Sequence, residues 1–277
     1  MSRWIFLRGL MRESRHWGDF PERFRAHVPD AEVFTPDLPG NGRLHAVPSP
    51  QRIEETMEAC RRMLADAALA PPYHVLGLSL GAMVAIAWAQ AHPQELRGCV
   101  LINTSLRPFH SFYRRLRPTA WGAAARAALA GTPQERERLI LRLTSNRLQR
   151  QAEVLDAWIA WQREHPVSRR NAWRQLLAAA HFRARPSRPP VPILVLAGAG
   201  DRLVDPACSR QLAAHWQTGF ALHPSAGHDL PLDEGEWVAR QVRDWLQEQE
   251  LAGAAKESLA DWDKSAEEPG SMRDGNI

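Results

Sequence analysis

The chain has 277 residues, 44% of them hydrophobic, enough for one well-buried domain with room for an inserted subdomain. It holds no run of eighteen apolar residues, and the opening MSRWIFLRG lacks both the apolar core and the cleavage site of a secretory signal, so no transmembrane helix or export signal is expected. The net charge is +4, and the three cysteines (Cys60, Cys99 and Cys208) are too scattered for a metal site or a disulfide framework, which together suggest a cytoplasmic, reduced protein without metal or cofactor.

Short strand-like runs alternate with longer helical patterns, as in an α/β fold with a mostly parallel sheet. Trp4–Leu7 is expected as a strand and Glu32–Phe34 as the next, followed by the turn TPDLPGNG. Ser49-Pro50 has the form of a helix start, serine as N-cap and proline at the first helical position, with the helix running to about Asp66. YHVLGLS predicts a strand entering a sharp turn, and Gly81–Ala91 a helix stopped by Pro93. GCVLIN and VPILVLAG predict two more buried strands, and GFALH a weaker last one, for about six strands in all.

Between GCVLIN and VPILVLAG the strand signal disappears, and some eighty residues are helical in pattern. Thr132-Pro133-Gln134-Glu135 forms a capping box, and Ser168 is placed to cap a helix beginning at Arg169. The expected organisation is a core of residues 1–104 and 190–252, an all-helical cap of residues 105–189, and a disordered tail of residues 253–277. Residues 105–190 carry seventeen arginines, no lysine and only five acidic residues. Such a surplus attracts anionic substrates or lipid head groups, or is simply a solvated helix surface. Nucleic acid is not expected as a partner, because the segment has no finger, no aromatic RNA-binding motif and no glycine-rich loop.

The strongest chemical signal is Gly77-Leu78-Ser79-Leu80-Gly81, between the apolar strand YHVL and the helix AMVAIAWAQAH. A strand that turns sharply into a helix leaves the central residue strained and brings neighbouring chain close, so glycines are needed two residues before and after it. The serine then stands at a helix N-terminus, where free N–H groups favour developing negative charge, and the Leu80 N–H is one such donor. A serine hydroxyl needs a base to become a nucleophile, and the base needs an acid to orient it. Asp201, in VLAGAGDRLVDP, follows a strand and a glycine-rich turn, whereas its competitor Asp205 precedes a proline and a helix and is explained as an N-cap. His228, in HPSAGHDLPLDEGEWV, lies in a small-residue loop after the last strand and is preferred over His223 as the base.

With these residues the chain resembles the α/β-hydrolase superfamily, in its helical-cap branch of small bacterial serine hydrolases. The likeness spans about residues 4–250 and rests on DLPGNGRL, GLSLGAMVAIAWAQAHP, ILVLAGAGDRLVDP and SAGHDLPLDEGEWV. It implies a Ser79–His228–Asp201 triad and hydrolysis of a small-molecule carboxylic ester or thioester through an acyl-enzyme. Acyl transfer on the same fold, or a non-catalytic binding role, are the alternatives. Two departures stand out. The sequence begins at what resembles the family's third strand, so the usual antiparallel first two are not expected in the sheet, and Arg8-Gly9 replaces a His-Gly pair. The resemblance makes the Leu10 backbone N–H the second oxyanion donor. Arg8 is expected either to brace that loop through its planar donor fork or to attract an anionic substrate. Trp158 and Trp161, in the cap, are candidates to line an apolar acyl pocket or to form cap core.

Overall fold

The computed structural model describes the backbone of residues 1–266. In chain order it contains β1 (Ser2–Leu7), α1 (Phe20–His27), β2 (Ala31–Phe34), α2 (Ile53–Asp66), β3 (Tyr73–Leu78), α3 (Leu80–Ala91) and β4 (Leu96–Ile102). Five helices follow: α4 (Phe112–Arg115), α5 (Pro118–Leu129), α6 (Pro133–Thr144), α7 (Leu148–Glu164) and α8 (Arg169–His181). The chain returns to the sheet with β5 (Ile193–Gly198), α9 (Pro206–Trp216), β6 (Gly219–His223) and α10 (Leu230–Ala266).

The six strands form one sheet in the order β2-β1-β3-β4-β5-β6, with every pairing parallel. A parallel sheet must be covered on both faces, and strand periodicity divides its side chains accordingly. Trp4 and Phe6 of β1, with Leu76 of β3, pack beneath α1 and α10. Ile5 and Leu7, with Val75, pack on the other side against α2, α3 and α9. The strand order reverses between β1 and β3, and a crevice opens at such a switch point beyond the carboxyl ends of the strands.

Local sequence explains most element boundaries. Thr132 caps α6 by accepting from the Glu135 N–H at 3.2 Å, Ser168 caps α8 through the Asn171 N–H at 3.1 Å, and Asp205 caps α9 through the Ala207 N–H at 2.9 Å. One helix start is corrected, and two further observations concern α1 and the C-terminal segment. Helix α2 begins at Ile53, three residues after Pro50, because Ser49 is buried and spends its hydroxyl on the Pro39 carbonyl at 2.9 Å. Helix α1 was not foreseen, although Phe20 and Phe24 are spaced one turn apart and both are buried. The disordered tail expected from residue 253 falls partly on α10, whose backbone stays helical to Ala266 through a stretch rich in Ala, Glu, Lys and Leu. Residues 267–277 lie outside the described residues.

Candidate active site

Ser79 sits between β3 and α3 with φ 55 and ψ −110, a conformation that side chains other than glycine adopt only under strain. The flanking glycines make it possible. A Cβ on Gly77 would lie 2.5 Å from the Gly81 carbonyl carbon, and one on Gly81 would collide with the Leu7 carbonyl oxygen. The Ser79 N–H is held by the Ile102 carbonyl at 2.9 Å. The N–H groups of Ala82 and Met83 bond to the Ser79 carbonyl, which leaves the Leu80 N–H at the start of α3 without an acceptor among the described residues.

The loop after β1 meets this turn edge on. A Cβ on Gly9 would stand 3.4 Å from Ser79 Cβ and 4.0 Å from its Oγ. Leu10 follows, and its N–H has no acceptor among the described residues. The next residue, Met11, has φ 56, and its N–H donates to Gln175 Oε1 of α8 at 2.9 Å. Gln175 Nε2 in turn donates to Asn41 Oδ1 at 3.1 Å and Ser49 Oγ at 3.0 Å, so a cap helix fixes the turn that carries Leu10.

Asp201 and His228 come together at the ends of β5 and β6. His228 Nδ1 and Asp201 Oδ2 are 2.7 Å apart, with Asp201 1% and His228 5% exposed. The other carboxylate oxygen, Oδ1, accepts from the Leu203 and Val204 N–H groups at 2.8 and 2.9 Å, which fixes the carboxylate plane. With Nδ1 tied to the acid, Nε2 is the nitrogen left to exchange a proton, and it takes no bond among the described residues. Asp205 is the N-cap described above, and His223 accepts the Ser225 and Ala226 N–H groups at Nδ1, bracing the start of the His228 loop.

Several positioning residues had no sequence signal. Asn103, at φ 47 after β4, donates to the Gly227 and His228 carbonyls at 3.1 and 2.8 Å and accepts the Gly198 N–H at 2.9 Å. It thereby ties the His228 loop to the ends of β4 and β5. Asp233 accepts from Ser145 Oγ, Asn146 N and Gly227 N at 2.6, 2.9 and 2.7 Å, joining the cap to the same loop. Burial nevertheless pushes its carboxyl pKa upward, against the pull of those three bonds.

Of the three residues considered for substrate binding, Arg8 and Trp158 are buried and Trp161 is half-buried. Arg8 is 3% exposed and forks onto the carboxylate of Asp229, Nη1 to Oδ1 at 3.1 Å and Nη2 to Oδ2 at 2.6 Å, with its guanidinium over Trp17. Its charge is neutralised inside the protein, which corrects the anion-attracting role and leaves the bracing one. Trp158 is 1% exposed, packed under the Arg12 guanidinium at 4.6 Å and beside His16. Trp161 lies against His16 and Arg15. Both tryptophans join the cap to the segment Arg12–His16; Trp158 is buried there, whereas Trp161 also lines a narrow depression with Met11, Glu13 and His165. A second narrow depression, which reaches Leu80, is lined by Leu38, Pro39, Thr56, Gln175 and Ala178.

Burial pushes the Cys60, Cys99 and Cys208 thiols up to about 12, which keeps them protonated and unsuited to nucleophilic attack. Among the described residues no group of three metal-ligating side chains is found, and no helix is long and apolar enough to cross a membrane.

A parallel sheet with helices on both faces and a strained serine where a strand turns into a helix is the architecture of the α/β hydrolases. The chain belongs to the alpha/beta hydrolase family, whose model matches residues 4–241, and is an enzyme of that hydrolase class. Solved structures share its fold. A thermophilic esterase from Thermogutta terrifontis matches with TM-score 0.71 and 21% identity over 90% of both chains. The enol-lactonase from Burkholderia xenovorans LB400 matches with TM-score 0.72 and 20% identity over 89% of this chain and 91% of that one. Esterase RhEst1 from Rhodococcus sp. ECU1013 matches with TM-score 0.70 and 17% identity over 89% and 90%. No curated protein matches the sequence.

Proposed function

We propose that this enzyme cleaves a small-molecule carboxylic ester or thioester through an acyl-enzyme formed on Ser79. The observation that carries this reading is the buried 2.7 Å contact between His228 and Asp201 at the sheet edge where Ser79 is strained outward. In the first step Ser79 Oγ attacks the acyl carbon and passes its proton to His228 Nε2. Asp201 holds the imidazole with Nδ1 protonated and stabilises the imidazolium. The oxyanion forms between the Leu80 and Leu10 N–H groups, each worth roughly 2.7–4 kcal/mol in such a site. His228 then protonates the leaving alcohol or thiol. Water, deprotonated by the same histidine, cleaves the acyl-enzyme and returns the proton to Ser79.

The depression beside Leu80, walled by Leu38, Pro39 and Ala178, suits an apolar group of the substrate. Arg8 does not enter the selection, because Asp229 neutralises it. The three free, buried thiols agree with a reducing, cytoplasmic setting. The test is labelling with a fluorophosphonate probe, followed by a panel of esters and thioesters with competing alcohols. Labelling is expected in the native chain and absent in Ser79→Ala, with the free acid as product. Undiminished labelling or esterase activity in Ser79→Ala would refute the assignment, and a new ester of the competing alcohol in place of the free acid would make the enzyme an acyltransferase.

A further inference from the structure

The cap turns an apolar face to water. On α5 the residues Trp121, Ala125, Ala128 and Leu129 share one side of the helix by their spacing, and all four are exposed. The opposite side, through Ala120 and Ala127, is the buried one. On the preceding short helix Phe112 and Tyr113 are 69% and 51% exposed, and the Phe112 ring stacks on Trp121 at 5.9 Å and 16°. A contiguous aromatic and aliphatic surface of this kind marks a contact site, because a cap helix needing only solubility would carry polar residues there.

The charge around it indicates what covers it. Residues 105–134 hold five arginines and no acidic residue. Arg107 and Arg126 are exposed and make no ion pair among the described residues, and the acidic neighbour of Arg114 is Asp205, at 3.9 Å. Aromatic side chains with arginines at their rim are the pattern of a helix lying in the interface of an anionic bilayer. A second copy of the chain is the poorer occupant, because a two-fold contact would set this arginine-rich surface, with Asp205 the acidic neighbour of Arg114, against itself.

We propose that this face, α5 with Phe112 and Tyr113, docks the enzyme on an anionic lipid surface. The Arg117 guanidinium donates to the Asp201 carbonyl at 2.8 Å, and the Arg117 N–H to the Leu203 carbonyl at 2.9 Å. The docking face is therefore fastened to the loop that carries Asp201, and docking brings that edge of the sheet next to the bilayer. The proposal does not depend on the hydrolytic reading.

The experiment is vesicle flotation of the full chain carrying Ser79→Ala, so that lipid binding is read apart from any hydrolysis. Vesicles are phosphatidylcholine alone or an equal mixture with phosphatidylglycerol. Binding is expected at least about tenfold tighter to the anionic vesicles and weakened by salt. Phe112→Ser with Trp121→Ser is expected to lower that affinity more than about tenfold, and Arg107→Gln and Arg126→Gln about fivefold each. All four side chains are surface-exposed or at the patch, so unchanged circular dichroism and melting temperature serve as the folding control. No preference for anionic vesicles, or serine variants that bind as tightly as the parent, would overturn the proposal. So would a dimer in sedimentation that the double serine substitution converts to monomer, since a second copy would then be the occupant.

Discussion

Arg8 and Asp229 form a buried, two-pronged ion pair that joins the loop ahead of Leu10 to the residue following His228. One contact thereby sets the spacing between the proposed oxyanion amide and the proposed base. Arg8→Ala would leave the Asp229 carboxylate buried and unpaired, a change that costs about 3–5 kcal/mol. Urea unfolding is expected to show that loss, and the double variant Arg8→Ala/Asp229→Ala to recover part of it. Because the charge is internally neutralised, rates on anionic and neutral esters are expected to fall by the same factor. A loss confined to anionic esters would restore a substrate-binding role for Arg8.

Gln175 acts on the same loop from the cap. Its Oε1 accepts the N–H of Met11, a residue held at positive φ beside Leu10. Gln175→Ala is expected to lower kcat about tenfold, a fraction of the hundred- to thousandfold that follows loss of an oxyanion donor, with little change in KM. Adding Met11→Gly makes the turn conformation easy without the amide and is expected to restore part of kcat. A merely structural glutamine would lose stability without this rescue.

Asp201→Asn tests the orientation of His228. The amide can face Nδ1 with its N–H and so favour the wrong tautomer, for which kcat falls about 10⁴-fold in enzymes with this arrangement. Steady-state kinetics on the best ester of the panel is the measurement. A drop below tenfold would remove Asp201 from the mechanism.

Gly81 and Gly122 should respond oppositely to alanine. A Cβ on Gly81 would meet the backbone of Leu7 and Arg8, which cannot yield, whereas one on Gly122 in α5 meets nothing within 4 Å. Gly81→Ala is expected to lose activity and soluble yield. Gly122→Ala is expected to gain about 0.5–1 kcal/mol in thermal or urea unfolding, the usual advantage of alanine inside a helix.

The fold should weaken in mild acid. His74 is stacked on Trp4, and burial, aided by the charge of Arg97, lowers its pKa to about 4; burial does the same to His110. Unfolded, each takes up a proton near pH 6.5. The unfolded state therefore binds more protons between these values, so stability is full above about pH 6.5 and falls as the pH drops towards 4. For His74 the span corresponds to about 3 kcal/mol. His74→Phe is expected to flatten the decline in urea midpoint between pH 7 and 4.5 while changing little at pH 7.

Much of this was legible in local sequence, because local chemistry causes it. The strand–turn–helix around Ser79 needs glycine at 77 because a side chain there would meet the turn's own Gly81–Ala82 backbone, and caps such as Thr132, Ser168 and Asp205 act within three residues of themselves. The parallel order of strands followed from apolar runs separated by helices, and Asp201 and His228 stood out as loop residues following such runs. Ser49 shows where local rules fail: it has the form of an N-cap, yet a carbonyl ten residues away and an amide on α8 claim its hydroxyl.

What the sequence by itself determined was the set of elements and the chemical groups they carry. Only the tertiary structure decided how those groups are paired. Arg8 meets Asp229 across 221 positions, Met11 meets Gln175 across 164, and Asn103 reaches the His228 loop across 124 and 125. No period or motif encodes such contacts. They arise because a buried charge or amide must find its partner wherever the packed chain brings one near, and that requirement turns Arg8 inward onto Asp229.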